Sequence, residues 1–214
     1  MAQTHTNSAI AEWRQNWTMI LAGWSAAVIS PVSSVTLGVM IGPIEHETGW
    51  SRAEITSGPA LISIIGVLLS TLAGMAIDRV GFRRIGLATS LLMVLSTAAM
   101  SLITGSLWTW LLCWGVFALA ATASPAVHVV PVVATFEKSR GLALIVRGSG
   151  TAVTSALAPL MAVILIDHIG WRLSYVALAL IWGGFGLPLM YFFFRIPPKK
   201  ERNEETLASA PRTR

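Results

Sequence analysis

The chain has 214 residues, of which 54% are hydrophobic and only 12% charged, with a mean hydropathy of +0.69. A soluble globular domain carries roughly 25% charged residues, so the composition excludes an ordinary soluble fold and favours a lipid-embedded one. The net charge of +5 does not indicate a nucleic-acid partner, because the basic residues fall between apolar runs, as in the inner loops of membrane proteins.

Taken in order, the chain opens with a polar stretch, 1–16, read as a cytoplasmic segment. It is no cleavable signal, because the apolar run that follows is longer than a signal-peptide core. Trp17 to Ile44 carries no charge, and predicts a first membrane helix over about 17–41. Ser30-Pro31-Val32-Ser33-Ser34 makes a soft spot in its middle, since proline removes a backbone donor. Hydroxyls beside such a break can meet a polar substrate, so Ser30, Ser33 and Ser34 are candidate path residues; the other reading is a packed kink. Gly38 and Gly42 form a small-xxx-small pair suited to close helix contact.

Glu45, His46, Glu47 and Arg52 follow in a loop. Three consecutive side chains do not converge on one ion, and a solvated acidic loop is expected rather than a metal site. Ser51-Arg52-Ala53-Glu54 reads as a capping box opening a second helix over 54–78, with Trp50 as an interfacial anchor. A third helix is expected over 84–103. The uncharged run from Ile85 to Phe136 is too long for one crossing of about 20 residues, and Thr104-Gly105-Ser106 supplies a turn inside it. A fourth helix is expected over 107–133, carrying Pro125, His128 and Pro131. His128 can relay protons near neutral pH or pack as a neutral core residue. Cys113 in the same helix has no second cysteine to pair with and reads as a buried thiol.

The fifth helix is expected over 141–166. Arg147 lies ~10 Å inside it, at 1.5 Å per residue. A charge at that depth faces a cavity, a partner or the interface, and its planar donor fork suits a carboxylate. Arg147 is therefore the leading anion contact, with snorkelling or an ion pair to Glu137 as the structural alternative. Gly148, Gly150 and Ala152 mark a packing face. Asp167, His168 and Arg172 form a solvated turn before a sixth helix over 172–195. The remainder, 196–214, is a polar cytoplasmic tail. The fold class is thus all-α with six membrane helices; the runs are too long and continuous for barrel strands.

Orientation follows from lysine and arginine. Arg14, Arg79, Arg83, Arg84, Lys138, Arg140, Arg195, Lys199, Lys200, Arg202, Arg212 and Arg214 share one side, twelve of the fifteen basic residues. Arg52 and Arg172 lie on the other. The positive-inside rule then sets both termini in the cytoplasm, in a cell inner or plasma membrane.

Between the second and third helices stands Gly74-Met75-Ala76-Ile77-Asp78-Arg79-Val80-Gly81-Phe82-Arg83-Arg84. Asp78 meets the negative end of its helix and needs a cationic neighbour or the N-terminal end of another helix; Gly81 permits a tight reversal, and Gly74 a close backbone approach. The segment resembles the G-x-x-x-D-R-x-G-x-R-R signature of the major facilitator superfamily through Gly74, Asp78, Arg79, Gly81, Arg83 and Arg84. Gly49-Trp50-Ser51-Arg52-Ala53-Glu54, Arg140-Gly141-Leu142-Ala143-Leu144 and Gly170-Trp171-Arg172 narrow the resemblance to the monocarboxylate transporter and oxalate/formate antiporter branch. It covers about residues 17 to 195. It implies the N-terminal six-helix half of a twelve-helix carrier, with the signature acid helping to close an inward gate against the other half.

The resemblance further implies a small organic anion as substrate, with a coupled proton as an open question, and a second six-helix half or a second copy as partner. The first helix lacks the lysine that the animal monocarboxylate carriers hold there. No cofactor is expected. Two other classes were weighed. An intramembrane hydrolase needs a nucleophile with a base in reach, and only Ser149 and His128 offer themselves. A non-transporting half would serve assembly alone.

Overall fold

A computed structural model describes residues 2–194. The tail beginning at Arg195, with Pro197-Pro198-Lys199-Lys200, lies outside the described residues, as does Met1. The described residues are helical with no strand. The elements are α1 (Ala2–Ile29), α2 (Val32–Thr48), α3 (Arg52–Val80), α4 (Phe82–Ala99) followed by a 3-10 turn (Met100–Leu102), α5 (Leu107–Thr135) and α6 (Arg140–Phe193). Five stretches are long and apolar enough to cross a membrane: Ile10–Thr48, Arg52–Val80, Phe82–Leu102, Leu107–Thr135 and Arg140–Phe193.

The first expected helix, 17–41, is not one helix. It starts upstream, is broken at Ser30-Pro31, and continues as α2 through Pro43 to Thr48. The break has a chemical cause. Pro31 has no N–H to give the Ala27 carbonyl; Thr151 Oγ1 donates to that oxygen instead, at 3.4 Å, and Thr154 Oγ1 donates to the Val28 carbonyl at 2.9 Å. Both threonines lie on α6. The kink is thereby stitched to the helix beside it. Gly49, at φ 72°, ends α2 in a left-handed cap and donates to the Glu45 carbonyl.

The capping box at Ser51 forms as its sequence implies: Ser51 Oγ accepts from the Glu54 amide at 3.3 Å, and Glu54 Oε2 accepts from the Ser51 amide at 2.8 Å. Trp50, expected as an interfacial anchor, is instead buried, its ring 6.2 Å from Trp110. An aromatic ladder continues through Trp114 and Phe117 at 5.8 and 5.6 Å. Trp110 Nε1 donates to the Ile55 carbonyl at 2.9 Å, and Gly58 leaves the space that the Trp114 indole fills. These contacts hold α3 to α5. The middle of α3 has little cover among the described residues, with Val67 81% and Leu68 70% exposed, whereas Ile77 near its end is buried with Ala123 and Val127 of α5. Such a face suits lipid or a further protein surface, not water.

Element α6 is 54 residues long, with Gly170 at φ 73°, ψ 163° inside it. Gly150 and Gly186 are 36 positions apart, ~54 Å on a straight helix. Yet a Cβ at Gly150 would stand 2.7 Å from the Trp24 carbonyl oxygen, and one at Gly186 3.0 Å from that of Ser25. Both glycines therefore touch the same turn of α1, and α6 doubles back at Gly170 into arms 140–169 and 171–193. Helix α1 sits between these arms. Helix α4 lies on the second arm through Val94 against Gly183 and Ser90 against Met190.

The small-residue expectations divide. Gly150 is a contact point, whereas Gly38, Gly42, Gly74 and Gly148 have nothing within 4 Å of where a side chain would begin; Gly183 and Gly186 are contact points that no such expectation covered. Small size permits approach, but a neighbour must lie on that face. Gly150→Ala should drive α1 off the first arm and lower stability by roughly 1–3 kcal/mol, whereas Gly148→Ala, two residues away, should be tolerated. Heat-induced loss of the monodisperse peak in detergent, read by size-exclusion chromatography, checks the contrast.

Candidate functional site

Three elements meet near the middle of the bundle: α1 at Gly23, α5 at His128 and Val132, and the first arm of α6 at Arg147. A Cβ on Gly23 would lie 3.1 Å from Arg147 Cγ, 3.4 Å from Val132 Cγ2 and 3.5 Å from the His128 carbonyl oxygen. Glycine here makes room for the arginine stem to cross α1. The guanidinium is half-buried, and its Nε is shielded without a hydrogen-bond partner. The ion pairs among the described residues, Arg52–Glu45 and Arg172–Glu47, are elsewhere. A cation inside an apolar bundle without an acid beside it has capacity left for an anion.

His128 shares this neighbourhood through its backbone more than its ring. The ring is 1% exposed. Its Cε1 is directed at Gly86 of α4, and Phe194 meets it edge-on with centroids 6.3 Å apart. Neither ring nitrogen has a hydrogen-bond partner. The His128 carbonyl thus meets Gly23 beside the Arg147 stem, while its imidazole lies toward Gly86 and still within electrostatic range of Arg147.

The three candidate serines do not converge. Ser33 is buried and shares a 2.6 Å hydrogen bond with Thr97 of α4. Ser34, one residue on, is exposed, and Ser30 lies half-buried at the break. Successive helical positions point about 100° apart, so this divergence follows from geometry. Ser149, the other hydroxyl considered, accepts from Trp24 Nε1 at 3.1 Å and donates to the Val146 carbonyl at 2.7 Å.

At the arginine-rich end, Gly81 closes α3 and opens α4 at φ 94°, a conformation that favours glycine. Asp78 is exposed on the last turn of α3 and has no ion pair or hydrogen bond among the described residues. The cationic neighbour expected for it within the loop is not found. Arg83 turns away instead, donating to the Tyr191 carbonyl at 3.1 Å with its guanidinium 5.8 Å from the Tyr191 ring centroid. Arg79 and Arg84 are exposed. The loop thus leaves an acid and two arginines facing outward.

Two clamps were not foreseen. Glu12 of α1 accepts from the Glu137 amide at 2.7 Å, from the Ser139 amide at 3.2 Å and from Ser139 Oγ at 2.8 Å. Its carboxylate thereby caps the start of α6, where the helix dipole favours negative charge. Trp13 packs beside it on Phe136 at 5.6 Å. At the opposite end Glu47 accepts from Trp171 Nε1 at 2.5 Å and pairs with Arg172 at 2.9 Å. Arg172 also donates to the Ser101 and Ile103 carbonyls. Glu47 and Arg172, read as parts of solvated turns, instead tie α2, the 3-10 turn and the second arm together. The signal was available in part: Arg172 follows the Gly170 at which the chain reverses.

A family model described as Major Facilitator Superfamily matches residues 23–213. No curated protein matches the chain.

Glu12→Ala removes three acceptor contacts from the loop between α5 and α6. Charge-assisted bonds of this kind contribute roughly 1.5–3 kcal/mol each at most, discounted here for partial exposure. Amide exchange at Glu137 and Ser139 should accelerate by about tenfold while amides in the middle of α5 stay protected, as hydrogen–deuterium exchange mass spectrometry would register.

Proposed function

The chain belongs to the major facilitator superfamily, and from that premise we propose that it forms one six-helix half of a carrier for small organic anions, monocarboxylates above all. Members of this family are membrane transporters, and the chain is a multi-pass, all-helical membrane protein. In the proposed arrangement Gly170 separates a fifth crossing from a sixth, and the arginine-rich end faces the cytoplasm. Transport proceeds by alternating access, with the path running between two halves.

The observation that carries the substrate class is Arg147: a half-buried guanidinium whose Nε has no partner and which no carboxylate pairs with among the described residues. An incoming carboxylate supplies both the missing charge and the missing acceptor, and the fork geometry suits its two oxygens. The broken first helix borders the same region. His128 is a less direct participant, since its ring lies toward Gly86. A proton relay through it needs a rearrangement of α4.

A second half, or a second copy, is the proposed partner. The open face of α3 supports this, as do Ile145 and Leu160 on the first arm of α6, 70% and 63% exposed. Asp78 supports it too, because an exposed acid at a helix C-terminus lacks the compensating charge that a facing surface would bring. The alternative of a half that assembles without transporting rests on the same faces. The hydrolase alternative loses support from Ser149, whose hydroxyl proton is directed to the Val146 carbonyl.

Uptake of a labelled monocarboxylate into vesicles containing the purified chain tests the carrier reading. Arg147→Ala should weaken apparent affinity roughly 10- to 100-fold, the range expected on losing a charge-assisted hydrogen bond. Uptake indifferent to that change rejects the role of Arg147; no uptake of any organic anion, with dimers trapped by crosslinking, favours assembly. The orientation is checked separately: in a Cys113→Ser background, Val80→Cys should resist an impermeant thiol reagent added outside intact cells and react once the membrane is opened.

A further inference from the structure

A groove of about 430 Å³ runs along the bundle between α4 and the second arm of α6, lined by Leu87, Leu91, Leu187, Pro188, Tyr191 and Phe192. Its volume falls within the ~300–1,000 Å³ of ligand-sized sites. Its walls are set by helical spacing: Leu87 and Leu91 repeat at four residues on α4, and Leu187 and Tyr191 do so on the facing arm. The groove opens to the surroundings, with Tyr191 57% and Phe192 68% exposed.

One end of this apolar channel is cationic. Arg83 is one turn before Leu87 on the same face of α4, and Arg84 adjoins it. Arg83 is tied to the groove wall by its bond to the Tyr191 carbonyl and its position over the Tyr191 ring. One donor is used there; the remaining guanidinium donors, and all those of the exposed Arg84, have no partner among the described residues. Neither arginine has an ion pair among the described residues. Trp17 and Phe193, 5.8 Å apart, stand at the same end, as aromatic residues do at the level of lipid headgroups.

We propose that this groove is a binding site for one anionic phospholipid, with an acyl chain along Leu87, Leu91 and Tyr191 and the headgroup phosphate on Arg83 and Arg84. Charge complementarity selects the occupant. A zwitterionic lipid fills the channel equally well but brings an ammonium group to the arginines, whereas a second protein helix needs an acidic terminus at that level. Basic residues at the cytoplasmic ends of membrane helices attract anionic headgroups by this chemistry. The site is built from α4 and the second arm, separate from Arg147 and Gly23. It does not depend on which anion the protein carries.

Native mass spectrometry of the purified chain in non-ionic detergent, with equal amounts of phosphatidylglycerol and phosphatidylcholine added, provides the test. Phosphatidylglycerol should be retained preferentially, and in the Arg83→Gln/Arg84→Gln protein that preference should fall by roughly tenfold. Leu91→Trp, which fills the channel and leaves the arginines in place, should lower retention of both lipids. It decides the matter alone if the arginine variant does not fold. Arg52→Gln, at the opposite end, should change nothing. Equal retention of the two lipids overturns the proposal, as does a preference that survives loss of both arginines, retention that Leu91→Trp leaves unchanged, or a preference that Arg52→Gln also abolishes. Glycerol phosphate should not displace the lipid at matched concentration; displacement would mean that the arginines bind any phosphate and the groove plays no part.

Discussion

Helix α1 is gripped between the two arms of α6 by backbone-to-backbone approach, and the rest of the bundle is arranged around that grip. In lipid there is no hydrophobic gain from joining two apolar helices. Contact must come from dense packing and from polar groups that have no water to turn to. Gly150 and Gly186 supply the first by letting carbonyls of Trp24 and Ser25 come close. Thr151 and Thr154 supply the second by taking up the carbonyls freed at Pro31. One feature, the proline break, thus creates the need that the neighbouring arm meets. Broken backbone at membrane depth is stable only under that condition.

The two ends of the bundle are finished by charged clamps of different character. Glu12 caps a helix start at one end. At the other, Arg172 joins Glu47 to the carbonyls of Ser101, in the 3-10 turn, and Ile103, just after it, and lies over Trp171, 4.6 Å from the ring. Between them, about two turns inside the start of α6, Arg147 has no ion pair among the described residues. The charges at the two clamps are saturated with partners, and the contrast is what supports the role proposed for Arg147. The same logic applies to Asp78: it has no ion pair among the described residues, beside a face of α3 that those residues leave largely open.

The sequence motifs prove to be of two kinds. Trp50, Ser51, Glu54 and Arg172 are absorbed by structure, as an aromatic packing unit, a helix cap and a corner clamp. Arg147, Asp78 and the outward arginines of the α3–α4 loop are left over. A motif read on its own cannot be sorted in this way, because a side chain's partners come from distant parts of the chain. Glu12 and Ser139 are 127 positions apart; Glu47 and Arg172 are 125. Neither pairing has a local signature.

What residues alone determined was the solvent and the local punctuation. Long uncharged runs can be satisfied only by helices in lipid, Ser51 and Glu54 cap because their spacing closes a ring of hydrogen bonds, and Gly81 turns because it tolerates positive φ. Tertiary structure decided which glycines are contact points and which are idle, since a small residue is a seam only when a neighbour lies against it. It also decided that the His128 carbonyl meets Gly23 while its ring lies toward Gly86, and that Ser33 shares a bond with Thr97. Side-chain direction relative to other helices is a property of packing angles, and those arise only when the whole bundle is assembled.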